Sequence, residues 1–149
     1  MLASYKIASS IHGLRVTRAY RSFGSMIHFE FGSACSGQPL YRLMVETARW
    51  EIKRRDVQLA ADVSWETRID QILRGFLNRR TQSVQLNDRC SVLNFENGLT
   101  LKLSPGPARN LVNLDNWVIF RDRTPALWLA PDRRLRSLKI GQAPKSDHH

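Results

Sequence analysis

The chain has 149 residues, the usual size of a single domain, and at 42% hydrophobic residues it is too apolar to stay disordered. No apolar run approaches the roughly 20 residues that a membrane-spanning helix needs. The net charge is +10, with 18 arginines among 23 basic residues, which favours acidic partners: a nucleic acid, an acidic protein face or anionic lipid.

The first acidic residue is Glu30; before it come Lys6, Arg15, Arg18 and Arg21 with several serines. That composition reads either as a targeting segment or as the start of the folded domain. The echo of this stretch later in the chain favours the second reading. Tyr5–Ile11 fits a short helix or a first strand, and Gly13 is a natural break. Leu14 to Tyr20 alternates loosely and predicts a strand with a basic outer face. In Met26–Phe31, Ile27, Phe29 and Phe31 point one way and His28 and Glu30 the other, the period-two pattern of a half-buried strand. After the Gly/Ser-rich loop 32–39, Leu40–Thr47 predicts a third strand, with Trp50-Glu51-Ile52 as a short continuation closed by Lys53-Arg54-Arg55. Val57–Val63 fits an edge strand or the approach to a helix.

Ser64 is placed to cap a helix, and Glu66 suits its positive end. Trp65, Ile69, Ile72, Leu73 and Phe76 share one helical face, and Gly75 marks the end. Asn78–Leu86 and Cys90–Phe95 then read as strands. Asn97-Gly98 is the strongest hairpin signal, because both residues tolerate positive φ. Leu99, Leu101 and Leu103 alternate with Thr100 and Lys102, and the 104–108 breaker ends that strand. Asn116–Phe120 is a late strand. Trp128 and Leu129 pin the C-terminal segment, and residues 141–149, with His148 and His149, read as a disordered tail.

The strand pattern occurs twice. Phe29-Glu30-Phe31-Gly32 aligns with Phe95-Glu96-Asn97-Gly98, Trp50-Glu51-Ile52 with Trp117-Val118-Ile119, and Gly13 with Gly75. The predicted fold is therefore mainly β (α+β). Residues 1–140 form one domain of two similar antiparallel halves of three to four strands, at about 11–55 and 73–120. They pack as a sandwich or partly open barrel, joined by a helix near 64–75. A three-stranded sheet with one apolar face cannot stand alone in water, so the halves must cover each other. The order of glycine, basic strand, Phe–Gly hairpin and distal Trp strand resembles a class of small bacterial proteins of unknown function. Some members of that class look like immunity proteins to polymorphic toxins. The resemblance implies a binding role and carries no catalytic residues.

Motifs for chemistry are absent. His12, His28, Cys35 and Cys90 have no metal-ligand spacing, and there is no G-x-S-x-G, Walker A or G-x-G-x-x-G. Glu30 and Glu96, at matched positions in that alignment, read as outward strand residues neutralising nearby arginines. The two cysteines have no disulfide framework and read as reduced thiols, which points to a cytoplasmic protein. No cofactor or metal is expected. The basic clusters carry the functional signal: Arg15, Arg18 and Arg21; Lys53, Arg54 and Arg55; Arg79 and Arg80; Arg133, Arg134 and Arg136. The expectation is a non-enzymatic protein whose arginine-rich face engages an acidic protein. The alternative is a nucleic-acid-binding module, which the mostly inward placing of the aromatic residues disfavours.

Overall fold

The computed structural model describes residues 2–33, 38–107 and 114–138; Cys35 and the tail 141–149 lie outside the described residues. The described chain runs α1 (Leu2–Ile11), β1 (Arg15–Arg21), β2 (Ile27–Gly32), β3 (Tyr41–Val45), β4 (Arg49–Arg54), β5 (Val57–Ala61), α2 (Glu66–Arg74), β6 (Thr81–Gln85), β7 (Ser91–Phe95), β8 (Leu99–Ser104), β9 (Trp117–Arg121), β10 (Thr124–Leu129) and β11 (Leu135–Ser137). The protein is mainly β, as the alternation predicts. Two antiparallel sheets form, one of six strands in the order β1-β2-β3-β9-β10-β11 and one of five in the order β5-β4-β8-β7-β6, and they do not close into a barrel.

The sheets are not the halves. β1–β3 enter the six-stranded sheet, and the chain then crosses so that β4 and β5 join the other. β6–β8 enter the five-stranded sheet before β9–β11 cross back. Trp50-Glu51-Ile52 is thus not a continuation of the third strand. The crossing is made at Glu46, Thr47 and Ala48, whose N–H groups all donate to the carbonyl of Asn116 (3.0, 3.2 and 3.1 Å). That carbonyl comes from 68 to 70 residues away, so nothing local marks the break.

The two runs share one register. The β1–β2 pair sets Val16 opposite Phe31, and the β6–β7 pair sets Thr81 opposite Phe95, each with a bulge just after. Trp50 and Trp117 hold matching places in β4 and β9, as do Ile52 and Ile119. Arg55 and Asp122 take the same left-handed turn conformation, at φ 56° and 57°. The halves meet at an Arg15–Arg80 bridge with paired hydrogen bonds. Val16 N–H donates to Arg79 (2.9 Å) and Thr81 N–H to Leu14 (2.9 Å); Gly13 N–H donates to Thr81 (3.0 Å) and Asn78 N–H to Val16 (2.8 Å). The registers correct two landmarks of the sequence alignment. The partner of Phe95 is Phe31, not Phe29, and the partner of Gly13 is Asn78, also at positive φ, not Gly75.

Phe31 and Phe95 stack near-parallel at 6.4 Å, and Phe76 stands edge-on to both Phe95 and Phe29, at 5.0 and 5.2 Å. Burying such rings is the main drive for the two inner faces to meet. Each half also brings a helix, so α2 is not a lone connector. α1 buries Ser4, Ala8 and Ile11, spaced along one helical face, and contacts β6 and β10; α2 buries Ile69 and Leu73 and contacts β1 and β5. Ser64 does not cap α2. Its hydroxyl accepts from Ala61 N–H (2.9 Å), and Trp65 takes the N-cap place in an extended conformation. Trp65 therefore falls off the apolar face and is 86% exposed, while Ile69, Leu73 and Phe76 are buried.

Two strands were not predicted. β10 carries Pro125, which has no N–H for a ladder and sits where the β9–β10 register shifts. β11 is a three-residue strand in a basic stretch. Asn97 and Gly98 both take positive φ, 64° and 72°, in the turn between β7 and β8. No helix among the described residues is long and apolar enough to cross a membrane.

Candidate functional site

The eleven basic candidates divide by what holds them. Arg21 is consumed by the fold. Its guanidinium grips the Asp70 carboxylate with two bonds (3.0 and 3.2 Å), reaches Glu66 at 3.6 Å, and so ties β1 to α2. Its side chain is only 19% exposed, and Asp70 raises its pKa through that hydrogen bond. Arg133 pins the loop after β8 through the Gly106 carbonyl (2.7 Å). Arg134 and Arg136 share Asp132, whose backbone bond from Arg134 and side-chain bond from Arg136 hold its carboxyl below the usual range. Lys53 pairs with Glu51 at 3.6 Å. The C-terminal cluster is thereby partly neutralised.

Five arginines come together at one end of the molecule, around the Glu96-Asn97-Gly98 turn. Arg55 N–H donates to the Gly98 carbonyl (2.8 Å), which sets the Arg54-Arg55 turn against it. Arg79 faces the Asn97 amide, whose oxygen, in the orientation that satisfies both groups, accepts from both terminal nitrogens of the guanidinium (2.7 and 3.1 Å). Arg80 N–H donates to Glu96 Oε1 (2.6 Å), and Arg15 donates to the Asn78 carbonyl (3.0 Å) across the bridge to Arg80. Three clusters separate in sequence thus form one basic surface. Among the described residues, the guanidinium groups of Arg54, Arg55 and Arg80 form no salt bridge.

Arg15 and Arg18 lie opposite Gly32 and Glu30 on β2, so both point to the outer face of the six-stranded sheet. That face is unusual. The registers place two rows across it: Tyr20, His28, Met44, Val118, Trp128 and Arg136, and beside it Arg18, Glu30, Arg42, Phe120 and Pro125. Tyr20, Phe120 and Trp128 thus stand on the outer face, beside the aromatic residues that the sequence places inward. Arg18 lies over the Tyr20 ring (4.2 Å) and reaches Glu30 at 3.6 Å; Arg42 lies over Phe120 (4.5 Å). Tyr20 also stacks on His28 (4.6 Å, 2° between planes). His28 Nε2 meets Ser22 Oγ at 2.7 Å and its Nδ1 is buried without a partner. Burial first, then Arg42 and Arg18, push its pKa down, so the imidazole is neutral near pH 7 and the positive charge of this face is arginine alone.

Glu30 and Glu96 are not matched: Glu30 is on this outer face, and its counterpart by register is Asn94. Among the described residues no three His, Cys, Asp or Glu side chains gather as a metal site would need. Cys90 is half-buried. A 730 Å³ cleft opens between α1 and β6, lined mainly by serine, glutamine and apolar side chains together with His12. No family model matches the chain, and comparison with curated proteins and solved structures found no match.

Proposed function

We propose that this chain is a non-enzymatic binding protein that engages an acidic protein through arginine, in the manner of an immunity or inhibitor protein. The observation that carries this reading is the gathering of Arg15, Arg54, Arg55, Arg79 and Arg80 around one turn. Backbone and side-chain bonds to Asn78 and Asn97 hold two of them in place. Less conformational freedom is then lost when they meet a carboxylate. Surfaces of this kind speed the encounter with an oppositely charged partner and weaken as salt rises.

The test is capture of partners from native cells after nuclease treatment, with Arg54→Glu/Arg80→Glu as the control. An acidic protein held by the wild type and lost from the variant supports the reading. Capture that nuclease abolishes, together with retardation of DNA or RNA that falls steeply with salt, would replace it with nucleic-acid binding.

A further inference from the structure

We infer that the outer face of the six-stranded sheet is a recognition surface for an acidic and partly apolar protein segment. Arg18 and Arg42 are its carboxylate clamps. This rests on the acidic-partner reading and gives it a specific location, joined through Arg15 to the basic turn.

The five-stranded sheet supplies the comparison. Its outer face uses the same scaffold, and the places matching Arg18, Arg42, Phe120 and Trp128 hold Ser83, Thr100, Lys53 and Ala61. An ordinary polar face therefore satisfies this fold, and the aromatic and arginine rows serve something else. Both helices add their buried residues to the core. The chemistry of the rows selects the occupant. A guanidinium lying on a ring keeps its N–H groups in its own plane, pointing outward at a fixed angle, which suits a carboxylate. The same stacking tells against a nucleic acid. Tyr20 already carries Arg18 and His28, and Phe120 carries Arg42, so a base would have to displace a cation to stack. Glu30, 3.6 Å from Arg18, stands between the two arginines in their row, and beyond Arg42 the adjoining row continues through half-buried Met44 to Trp128 with apolar surface.

The experiment titrates the purified chain at low salt with three probes. They are a random glutamate–tyrosine copolymer, polyglutamate of matched length and a single-stranded oligonucleotide. The copolymer should bind more tightly than polyglutamate. Arg18→Gln/Arg42→Gln should weaken the copolymer about tenfold or more, the scale of lost charged hydrogen bonds. Arg54→Gln/Arg80→Gln should weaken both polymers alike. Amide shifts in the wild type should gather at 18, 42, 44, 118, 120 and 128, a readout that needs no variant to fold. If both polymers bind equally and only Arg54→Gln/Arg80→Gln matters, the face is not the site, yet the acidic-partner reading stands. If neither polymer binds, or the oligonucleotide binds more tightly than either, both fall.

Discussion

Replacing Asn116 with alanine should destabilise this protein more than any other polar substitution outside the strands. Asn116 is 3% exposed and stands where β9 begins. Its Oδ1 accepts from Gly106 N–H (2.7 Å) and its Nδ2 donates to the Ala130 carbonyl (3.0 Å), both bonds buried. Alanine leaves the Gly106 N–H without a partner, while the Ala130 carbonyl keeps its bond from Arg133 N–H (2.9 Å). An unsatisfied buried group costs about 1–3 kcal/mol and a lost bond about 0.5–1.5 kcal/mol, so the loss should be about 1.5–4.5 kcal/mol. For a chain of this size that lowers the thermal midpoint by about 3–15 °C. Urea unfolding followed by the fluorescence of buried Trp50 and Trp117 measures it. Asn116→Asp separates the two bonds. It keeps the acceptor for Gly106 but sets a carboxylate oxygen against the Ala130 carbonyl, near Asp115 and Glu46. Aspartate should therefore be no better than alanine at pH 7 and should recover partly in acid, once protonated. An alanine variant within about 0.5 kcal/mol of wild type, the range of ordinary surface substitutions, would refute this account of the Asn116 side chain.

Three further outcomes follow from the geometry. Phe95→Ala removes the ring stacked on Phe31 and edge-on to Phe76, and should cost about 3–5 kcal/mol by urea unfolding. Glu46 is raised above its ordinary value of 4.5 by burial and then by Asp115, so the folded chain holds that proton more tightly than the unfolded chain. The penalty is present at neutral pH and disappears as pH falls through the raised value; Glu46→Gln should raise the thermal midpoint at pH 7, with the gap closing in acid. Arg21→Gln should loosen α2 from β1, which amide exchange in residues 66–74 would register as faster exchange there than in β2 or β3.

Much of the fold was legible because alternation is local. Ile27, Phe29 and Phe31, and again Leu99, Leu101 and Leu103, declare their inner faces without help, and all six are buried. The exact pairing of the halves was not legible, because the bulges after Val16 and Thr81 shift each register without marking the sequence. β10 was hidden by Pro125, which a strand accepts only at such an irregularity. Arg21 was indistinguishable from Arg15 or Arg18, since its partner Asp70 is 49 residues away. The outer face did leave a signal. Once Ile119, Leu127 and Leu129 are taken as inward, Phe120 and Trp128 must point outward, and that reading was available from the sequence.

The repeated register separates what this scaffold requires from what it permits. Four matched inward positions are alike, Phe31 and Phe95, Leu43 and Leu101, Trp50 and Trp117, Ile52 and Ile119, while Val16 and Thr81 or Ile27 and Ser91 differ. Packing at near-crystalline density leaves the first set little choice. Outward, Arg15 matches Arg80, but Arg42 stands against Thr100, Phe120 against Lys53 and Trp128 against Ala61. Solvent alone would favour polar residues at both sets, since a partly open aromatic surface gains nothing from water and adds association hazards. The face that departs from this is also the one that continues, through Arg15, into the basic turn. Charge and apolar surface on one continuous side suit the acidic protein partner proposed above.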